Sequence, residues 1–295
     1  MGGNFVSATP DTAYTAKGLQ QCDMTVQIST KLNRSHVMHG KTALILPCLG
    51  RTELDVQASG TQFVTVENST GVVHQSQGGK DPVSEHLLSE PKIVVELAKA
   101  TLGADTTVDW DAMAANYDHI RDAIEHTVDG FGEYNQRVRK PGGFYLPNGA
   151  REGNFKTDTG KANFTINELP DHALAEEEFL MMTIRSHDQY NTTIYGLHDR
   201  YRGIHYERRV VLMNTEDMAA LGLQKETVVD LVSQYDGVER VAERFLVVPY
   251  RIPPQCAATY FPEANVLVPH TRSARGSEQP ISKSVVIRIR RSESE

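Results

Sequence analysis

Residues 178–193 read EFLMMTIRSHDQYNTT, and this stretch decides how the second half of the chain folds. Its first part, FLMMTI at 179–184, is an apolar run of the length of a buried strand. Its second part consists almost entirely of side chains that donate or accept hydrogen bonds, whereas a simple connecting loop is usually rich in Gly, Pro and Ser. The pattern predicts a strand that leads into a polar, ligand-facing loop.

Further apolar runs follow this strand, and only one convincing helix, TEDMAALGL at 215–223, interrupts them. The runs are RRVVLMN (208–214), TVVDLVSQ (227–234), ERFLVVPY (243–250), ANVLVP (264–269) and SVVIRIRR (284–291). Many strands with one short helix in about 120 residues favour a small closed β-barrel over a βαβ sheet.

The first 105 residues have a different pattern, in which strand-like and helix-like segments alternate. MTVQIS at 24–29 and KTALILPC at 41–48 are strand-like, and SEPKIVVELAKATLG at 89–103 has the capping serine and terminal glycine of a helix. Continuous apolar strands of this kind indicate a parallel sheet covered on both faces. Residues 106–175, rich in Gly, Pro and Asn after a helical segment, are typical of a connection between domains. The predicted fold class is α/β plus β, with domains at 1–105, 106–175 and 176–295.

Composition limits the classes of function. The formal net charge of −8 argues against a general nucleic-acid binder. No apolar run reaches the length of a membrane span, and Cys22, Cys48 and Cys256 have neither the spacing of a zinc motif nor that of a disulfide framework. These features indicate a protein of the reducing cytoplasm. The glycine turn MGGNF at residues 1–5 follows no strand, which gives the expectation that the chain begins inside a domain.

The sequence contains none of the motifs HExxH, GxSxG, GxGxxG or a Walker loop. Cys48 invites comparison with a nucleophile, but it ends an apolar strand after Pro47, and free cysteines in such positions are usually buried. Arg51 and Glu53 are expected to form an ion pair or to orient a loop. The sequence therefore offers no residue as a catalytic acid, base or metal ligand.

Three polar segments are candidates for a binding site. MGGNF offers backbone N–H groups to a pyrophosphate or ribose, although an ordinary tight turn fits equally well. STKLNRSHVMHG at 29–40 combines hydroxyls with Lys31 and Arg34 after a strand, which suits phosphates and sugars; a solvated loop is equally consistent. The mixed donors and acceptors of 185–203 suit the edge of a pterin or guanine. Asn265, Ser282 and Lys283 could complete that pocket.

The chain also resembles a known family along essentially its whole length. The similar segments are GGNFVSATPDT (2–12), STKLNRSH (29–36), LILPCLGRTELD (44–55), GGFYLPNGAR (142–151), RSHDQYNTTIYGLHDRYRG (185–203) and SKSVVIRIR (282–290). They resemble the C-terminal half of formate dehydrogenase-like molybdopterin oxidoreductases, in particular FdhF-like alpha subunits. The resemblance implies that residues 1–105 are part of a Rossmann-like dinucleotide-binding domain. It also implies that residues 176–295 form a six-stranded double-psi β-barrel that binds a molybdopterin dinucleotide.

In this family two molybdopterin guanine dinucleotides bind one molybdenum or tungsten ion, and the resemblance implies the same cofactor for the intact enzyme. One dinucleotide would be held by Gly2, Gly3, Asn4, Thr30, Lys31 and Asn33. The pterins would contact Arg185, His187, Gln189, Asn191, Thr192, Thr193, Asn265 and Lys283. The polar loop at 185–203 would then be crowded with hydrogen-bonding groups because it faces a pterin.

The resemblance implies further domains upstream, including segments that approach the metal, so activity of this chain alone is not expected. The expected function is cofactor binding within an oxidoreductase that transfers two electrons, with formate as substrate by analogy. Two alternatives stay open: a free-standing module that carries or matures the cofactor, and an inactive fragment. Unpaired sheet edges in such a fragment would favour homo-oligomers.

Overall fold

The computed structural model of the chain describes residues 1–170, 172–192 and 194–293. The α-helices are α1 (Phe5–Ala8), α2 (Thr12–Gln20), α3 (Glu90–Leu102), α4 (Trp110–Ala115), α5 (Asp118–Thr127), α6 (Tyr134–Val138), α7 (Gly149–Glu152) and α8 (Thr215–Ala220). The strands are β1 (Met24–Ser29), β2 (Thr42–Pro47), β3 (Val56–Gln57), β4 (Gly60–Thr61), β5 (Val64–Glu67), β6 (Val72–Ser76), β7 (Phe144–Tyr145), β8 (Phe179–Ile184), β9 (Val210–Met213), β10 (Val228–Tyr235), β11 (Val238–Pro249), β12 (Cys256–Tyr260) and β13 (Val285–Arg291). Within this described part, none of the helices combines the length and the apolar character that crossing a membrane requires.

Six strands close into a barrel in the order β10, β11, β9, β12, β8 and β13. The pairings of β11 with β9 and of β12 with β8 are parallel, and the other four are antiparallel. Closure pairs both edges of every strand, so that no edge is left to recruit another chain. The six-stranded barrel predicted from the sequence is confirmed.

Apolar side chains from all six strands fill the barrel. In β8 the side chains alternate, so that Phe179, Met181 and Thr183 are buried while Met182 is exposed. Met218 of α8 packs against the same core. Burying a large apolar side chain contributes about 1.5–3 kcal/mol, so this core is the main source of stability for the barrel. The loop after β8 therefore starts from a firmly held strand.

One of the predicted barrel strands is wrong. The run ANVLVP at 264–269 lies mainly in a short 3-10 helix, Glu263–Leu267, and the sixth strand is β12 instead. An apolar run of six residues cannot be assigned to a strand or a helix from periodicity alone. The residues of β12 are mostly buried, but the side chains of Ala257 and Ala258 are too small to form a recognisable apolar run in the sequence.

The chain packs into two compact units. One contains the barrel together with residues 2–27 and 32–45, and the other contains residues 28–31 and 46–168. In the second unit, β5, β6 and β7 form an antiparallel sheet, and β3 pairs with β4. The boundaries of these units differ from those of the predicted domains at 1–105, 106–175 and 176–295, because the N-terminal segment packs with the barrel. The predicted domain boundaries stay a prediction.

The small parallel sheet of β1 and β2 is more exposed than the sequence predicts. Leu44, Ile45 and Leu46 of β2 are 44%, 46% and 41% exposed. A two-stranded sheet lacks the broad surface on which helices pack in doubly wound folds. The prediction that this sheet is covered on both faces is therefore wrong for the described residues.

Ser89→Ala is expected to destabilise the unit that contains α3. The Ser89 hydroxyl accepts a hydrogen bond from the Lys92 N–H at 3.4 Å and lies 2.6 Å from the Tyr117 hydroxyl. Losing an N-cap and a buried hydrogen bond together should cost about 2 kcal/mol. Urea unfolding followed by the fluorescence of Trp110, the single tryptophan, measures the loss. Ser277→Ala, at an exposed serine, is the control; equal stabilities of the two variants would contradict the role of Ser89.

Candidate functional site

The polar loop after β8 is held in place by one buried arginine, Arg208. Its guanidinium donates to the Ser186 hydroxyl at 2.8 Å, to Gln189 Oε1 at 3.1 Å and to the Phe261 carbonyl at 2.8 Å. Two further bonds, of 2.7 and 3.1 Å, run to the carboxylate of Glu263. Such a paired, charge-assisted contact fixes both distance and orientation. Arg208 thereby sets the position of residues 186–189.

Two aromatic rings complete the environment of this guanidinium. Its central carbon lies 4.3 Å from the ring centroid of Tyr195 and 4.8 Å from that of Tyr260. Arg208 itself is only 4% exposed. Cation–π contacts of a desolvated guanidinium add to its hydrogen bonds, so the base of the loop is rigid.

The loop backbone turns through two residues in the left-handed region. Asp188 has φ of 63° and Asn191 has φ of 49°, and short polar side chains of this type tolerate that conformation better than others. Arg185 donates to Asn191 Oδ1 at 3.1 Å, which links the two ends of the turn. Non-glycine residues in this region are often found at binding sites.

A cavity of 310 Å³ opens beside the loop. The residues that line it are Arg185, Ser186, His187, Tyr201, Arg202 and Tyr250. The ring centroid of His187 lies 4.0 Å from that of Tyr201, and its Nε2 lies 3.1 Å from Arg200 Nη2. The cavity therefore combines two guanidinium groups with flat aromatic surfaces, which suits an anionic ligand that has a planar ring.

The charge around this cavity is mainly positive. Lys283 donates to the Thr183 hydroxyl at 3.2 Å, and its pKa is lowered by desolvation and by the positive charge of Arg185. Arg202 pairs with the buried carboxylate of Asp199 at 2.5 Å. A second carboxylate, that of the exposed Asp188, lies 3.1 Å from His187 Nε2. Arg185 and Lys283 have no carboxylate partner among the ion pairs of the described residues, so they remain available to an added anion.

The structure brings together only part of the predicted pterin site. Arg185 and His187 line the cavity, and Asn191 and Lys283 adjoin Arg185. Both polar atoms of the Gln189 side chain bind other groups of the protein. Its Nε2 donates to the carbonyls of Asn191 and Phe261, and its Oε1 accepts from Arg208. Thr192 is 7% exposed. Thr193 lies outside the described residues.

Asn265, also predicted to contact a pterin, joins the N-terminal segment to the barrel. Its Nδ2 donates to the carbonyl of Ser7 at 2.7 Å and of Ala8 at 3.3 Å. The backbone carbonyl of Asn265 accepts from the Asp11 N–H at 2.9 Å. Asn265 is 3% exposed, so its amide nitrogen is committed to these contacts. A contact of this residue with the cofactor stays a prediction.

The N-terminal glycine segment is fixed by Asn33. Asn33 Nδ2 donates to the Gly3 carbonyl at 3.1 Å, and Asn33 also caps the short 3-10 helix Arg34–His36. Gly2 has φ of 64°, in the region that favours glycine. Asn4 Oδ1 is buried and has no hydrogen-bond partner among the described residues. Four of the six residues predicted to hold a dinucleotide thus lie in one compact unit.

The other two residues of that prediction, Thr30 and Lys31, belong to the second unit and are exposed.

In the same unit, Glu53 accepts from the Gly50 N–H at 2.6 Å and the Val83 N–H at 2.9 Å. These bonds lower the pKa of Glu53. Glu53 therefore orients a loop, as one of the two alternatives predicted, while Arg51 donates to the Ser76 hydroxyl at 2.9 Å.

The prediction that Cys48 is buried is confirmed, although β2 ends one residue before it and Cys48 forms an isolated parallel bridge with Leu88. Cys48 is 4% exposed and packs with Ile28 and Ile93. Burial raises the pKa of its thiol, which disfavours the thiolate that a nucleophile needs.

Sequence reasoning missed the residues that organise the loop. Arg208 lies two residues before the buried strand β9, and a charged residue so close to a buried strand can indicate a buried ion pair. Arg202 lies within the polar stretch at 185–203, but nothing in the sequence distinguishes it from the other polar residues there. Tyr250 lines the cavity from a distant position directly after β11, and its contribution depends on the barrel topology.

Comparison with known proteins identifies the barrel. Residues 179–286 match the family model described as Molydopterin dinucleotide binding domain. The barrel carries a molybdopterin dinucleotide-binding domain. This domain contains the loop after β8, the cavity beside it and the anchor Arg208.

Relatives of the chain are longer proteins. It is 50% identical over 295 residues to a Mycobacterium tuberculosis protein named as an uncharacterized oxidoreductase, covering 98% of this chain and 38% of that protein. It is 42% identical over 271 residues to protein YdeP of Escherichia coli, covering 90% of this chain and 36% of YdeP. The chain thus spans less than half the length of these relatives. Together with the domain match, these relatives support the interpretation that the chain is a part of a molybdopterin oxidoreductase.

A solved structure supports the fold. The acetylene hydratase from Pelobacter acetylenicus superposes with a TM-score of 0.60 at 12% identity, covering 99% of this chain and 44% of that enzyme. At this identity the likeness concerns the fold alone. Across the described residues, no group of three or more His, Cys, Asp or Glu side chains is arranged to hold a metal ion.

Proposed function

We propose that this chain is the cofactor-binding portion of an FdhF-like, formate dehydrogenase-like molybdopterin oxidoreductase, and that it holds and orients molybdopterin guanine dinucleotide. The observation that carries the proposal is the positively charged cavity beside the loop after β8, inside the segment that matches the family model. A dinucleotide contains a pyrophosphate, so its site needs cations as well as hydrogen-bonding groups. Arg185, Arg202 and Lys283 supply the cations.

The N-terminal glycine segment supports a second contact with the cofactor. Asn4 Oδ1 is a buried acceptor without a partner among the described residues. An unsatisfied buried acceptor is costly, and the amino and ring N–H groups of a guanine or pterin are suitable donors. One dinucleotide would be held by Gly2, Gly3, Asn4, Asn33, Thr30 and Lys31.

The chain's residues would bind and orient the cofactor. When bound, the cofactor would supply a molybdenum or tungsten ion that exchanges two electrons with a substrate. Arg185 and Lys283 would neutralise its negative charge, and His187 would offer a ring nitrogen at the cavity wall. The other predicted contacts are Gln189, Asn191, Thr192, Thr193 and Asn265. No side chain of this chain is assigned as the catalytic acid or base, or as a ligand of the cofactor's metal ion.

Several finer points belong to the same proposal. They are a double-psi crossover in the barrel, two dinucleotides for each metal ion, the predicted domain boundaries and a cytoplasmic location. Formate as the substrate rests on the resemblance to one subgroup of the family. The other domains of a longer protein would complete the enzyme.

The proposal is tested by producing the chain in a host that makes the molybdenum cofactor. GMP released by acid hydrolysis, molybdenum and tungsten are then measured in the purified protein. Stoichiometric GMP supports binding by this chain, and GMP without metal fits a module that carries the cofactor. A folded chain with neither would assign binding to the longer protein only.

Arg185→Gln is expected to lower the retention of GMP-containing cofactor about tenfold. Removing one charge-assisted hydrogen bond costs about 1.5–3 kcal/mol, and about 1.4 kcal/mol corresponds to a factor of ten. The GMP content after gel filtration measures retention. Arg275→Gln, at an exposed arginine outside the cavity, is the matched control. If the two variants retain equal amounts, Arg185 does not contact the cofactor.

A further inference from the structure

A pair of histidines lies outside the residues that line the cavity. The Nδ1 atoms of His198 and His205 are 3.4 Å apart, and their ring centroids are 5.6 Å apart. Both side chains belong to exposed residues, so an ion could reach them from solvent. His198 lies within the polar segment at 185–203, but neither histidine is among the residues assigned to the cofactor above.

The backbone brings these two histidines together across a tight turn. Asp199 and Ile204 exchange two backbone hydrogen bonds, of 2.9 and 3.1 Å, and form an isolated antiparallel bridge. His198 and His205 are the next residues on either side of that bridge. In antiparallel pairing, the positions beside a hydrogen-bonded pair bring their side chains closest. The turn therefore presents the two imidazoles as a facing pair.

The turn is anchored to the barrel through Asp199. Its carboxylate, which is 1% exposed, accepts from the Tyr260 hydroxyl at 2.8 Å and from Arg202 at 2.5 Å. Ile204 is also buried and packs with Tyr260. The residues next to both histidines are thus fixed, which limits the entropy that ligand binding would cost.

The neighbouring residue Tyr206 is strained. Its φ of 60° lies in the left-handed region, which a tyrosine rarely adopts. Its ring meets that of His198 edge-on, with centroids 4.6 Å apart. Strain of this kind persists where the surroundings fix a residue, and it is concentrated at ligand-binding positions.

We propose that His198 and His205 form a binding site for a divalent transition-metal ion such as Zn²⁺. Tetrahedral zinc with Zn–N distances of about 2.05 Å places two ring nitrogens about 3.3 Å apart. The separation of the two Nδ1 atoms is close to this value. Both rings would bind through neutral Nδ1 and carry the proton on Nε2. Water molecules would occupy the remaining coordination positions.

The test is a titration of the tag-free chain with zinc, in which isothermal titration calorimetry measures binding. Wild-type protein is expected to bind one ion, whereas His198→Asn and His205→Asn should each weaken binding about a hundredfold, because either change removes the chelate. The double variant should bind at least as weakly as the single variants, because it keeps neither ring.

Controls separate this site from other surface histidines. His86→Asn, at a histidine whose side chain is 88% exposed, should leave the titration unchanged. Circular dichroism identifies any variant that fails to fold, and Co²⁺ absorption of the wild type reports nitrogen coordination independently. Absence of zinc uptake by the wild type, or equal uptake by wild type and both single variants, would overturn the proposal.

Discussion

Arg208→Ala is expected to destabilise the barrel unit by about 3 kcal/mol, because it removes a buried guanidinium with its hydrogen bonds and leaves a largely buried carboxylate without its counter-ion. That carboxylate belongs to Glu263, whose side chain is 17% exposed. The substitution also removes the donor to Ser186 and Gln189, so residues 186–189 should lose their fixed position. Hydrogen exchange followed by mass spectrometry measures both effects, since peptides from β9 and β12 report on the barrel and those from 185–192 on the loop.

Two further variants separate the causes. Arg208→Lys keeps the positive charge but lacks the planar fork of donors, so it should restore only part of the barrel stability and little of the loop order. Arg209→Ala, at the exposed neighbour, should change stability by no more than about 0.5 kcal/mol. Unchanged protection of the loop in Arg208→Ala would show that Arg208 does not anchor it.

The barrel could be predicted from the sequence because its strands carry their own apolar patterns. FLMMTI is an apolar run of strand length and SVVIRIRR ends in an alternating pattern, and both form strands where expected, as β8 and β13. The strand β12 was missed because Ala257 and Ala258 are too small to stand out. The exposure of β2 was missed as well, since an apolar run does not reveal how many strands pair beside it.

The candidate site was predictable only where a single segment carries it. The segment at 185–203 could be predicted because its polar residues, Arg202 among them, are close together in the sequence. Tyr250 joins it through the barrel topology, and Asn265 donates to the chain's own backbone. A sequence shows which groups can form hydrogen bonds, whereas the fold determines which of these groups are already used.

Asp11 is a second buried charge, and it joins the N-terminal segment to the barrel within one compact unit. Its Oδ2 lies 2.7 Å from Arg240 Nη2 and 2.8 Å from His270 Nδ1. The ring of His270 stacks on that of Tyr14 with centroids 4.0 Å apart. Asp11 is 5% and Arg240 is 6% exposed. The segment that contains the glycine turn at 2–3 thus depends on a buried ion pair.

Asp11→Asn is expected to cost about 3 kcal/mol near neutral pH, because it leaves Arg240 buried without a counter-ion. Asparagine tolerates the φ of 50° at this position, so the cost reports the charge rather than the backbone. Burial raises the pKa of Asp11, but the bonds from Arg240 and His270 more than offset this and hold the pKa below its ordinary 3.8. The ionised form therefore stabilises the folded state.

The pH dependence follows from the direction of that shift. The stabilisation is complete at pH values above the unfolded-state pKa and is lost as the pH falls through the folded-state pKa. The stability difference between wild type and Asp11→Asn should shrink as the pH falls below about 4, because Asp11 then becomes protonated in the folded state. Urea unfolding followed by circular dichroism at a series of pH values measures it.

The matched control is Asp23→Asn. Asp23 pairs with Lys41 at 2.7 Å, but its side chain is 90% exposed, so this ion pair should contribute at most about 1 kcal/mol. A cost for Asp11→Asn no larger than that of Asp23→Asn would contradict a structural role for the buried pair. A large cost that persists unchanged at low pH would instead assign the effect to packing, because a protonated Asp11 and an asparagine carry the same charge.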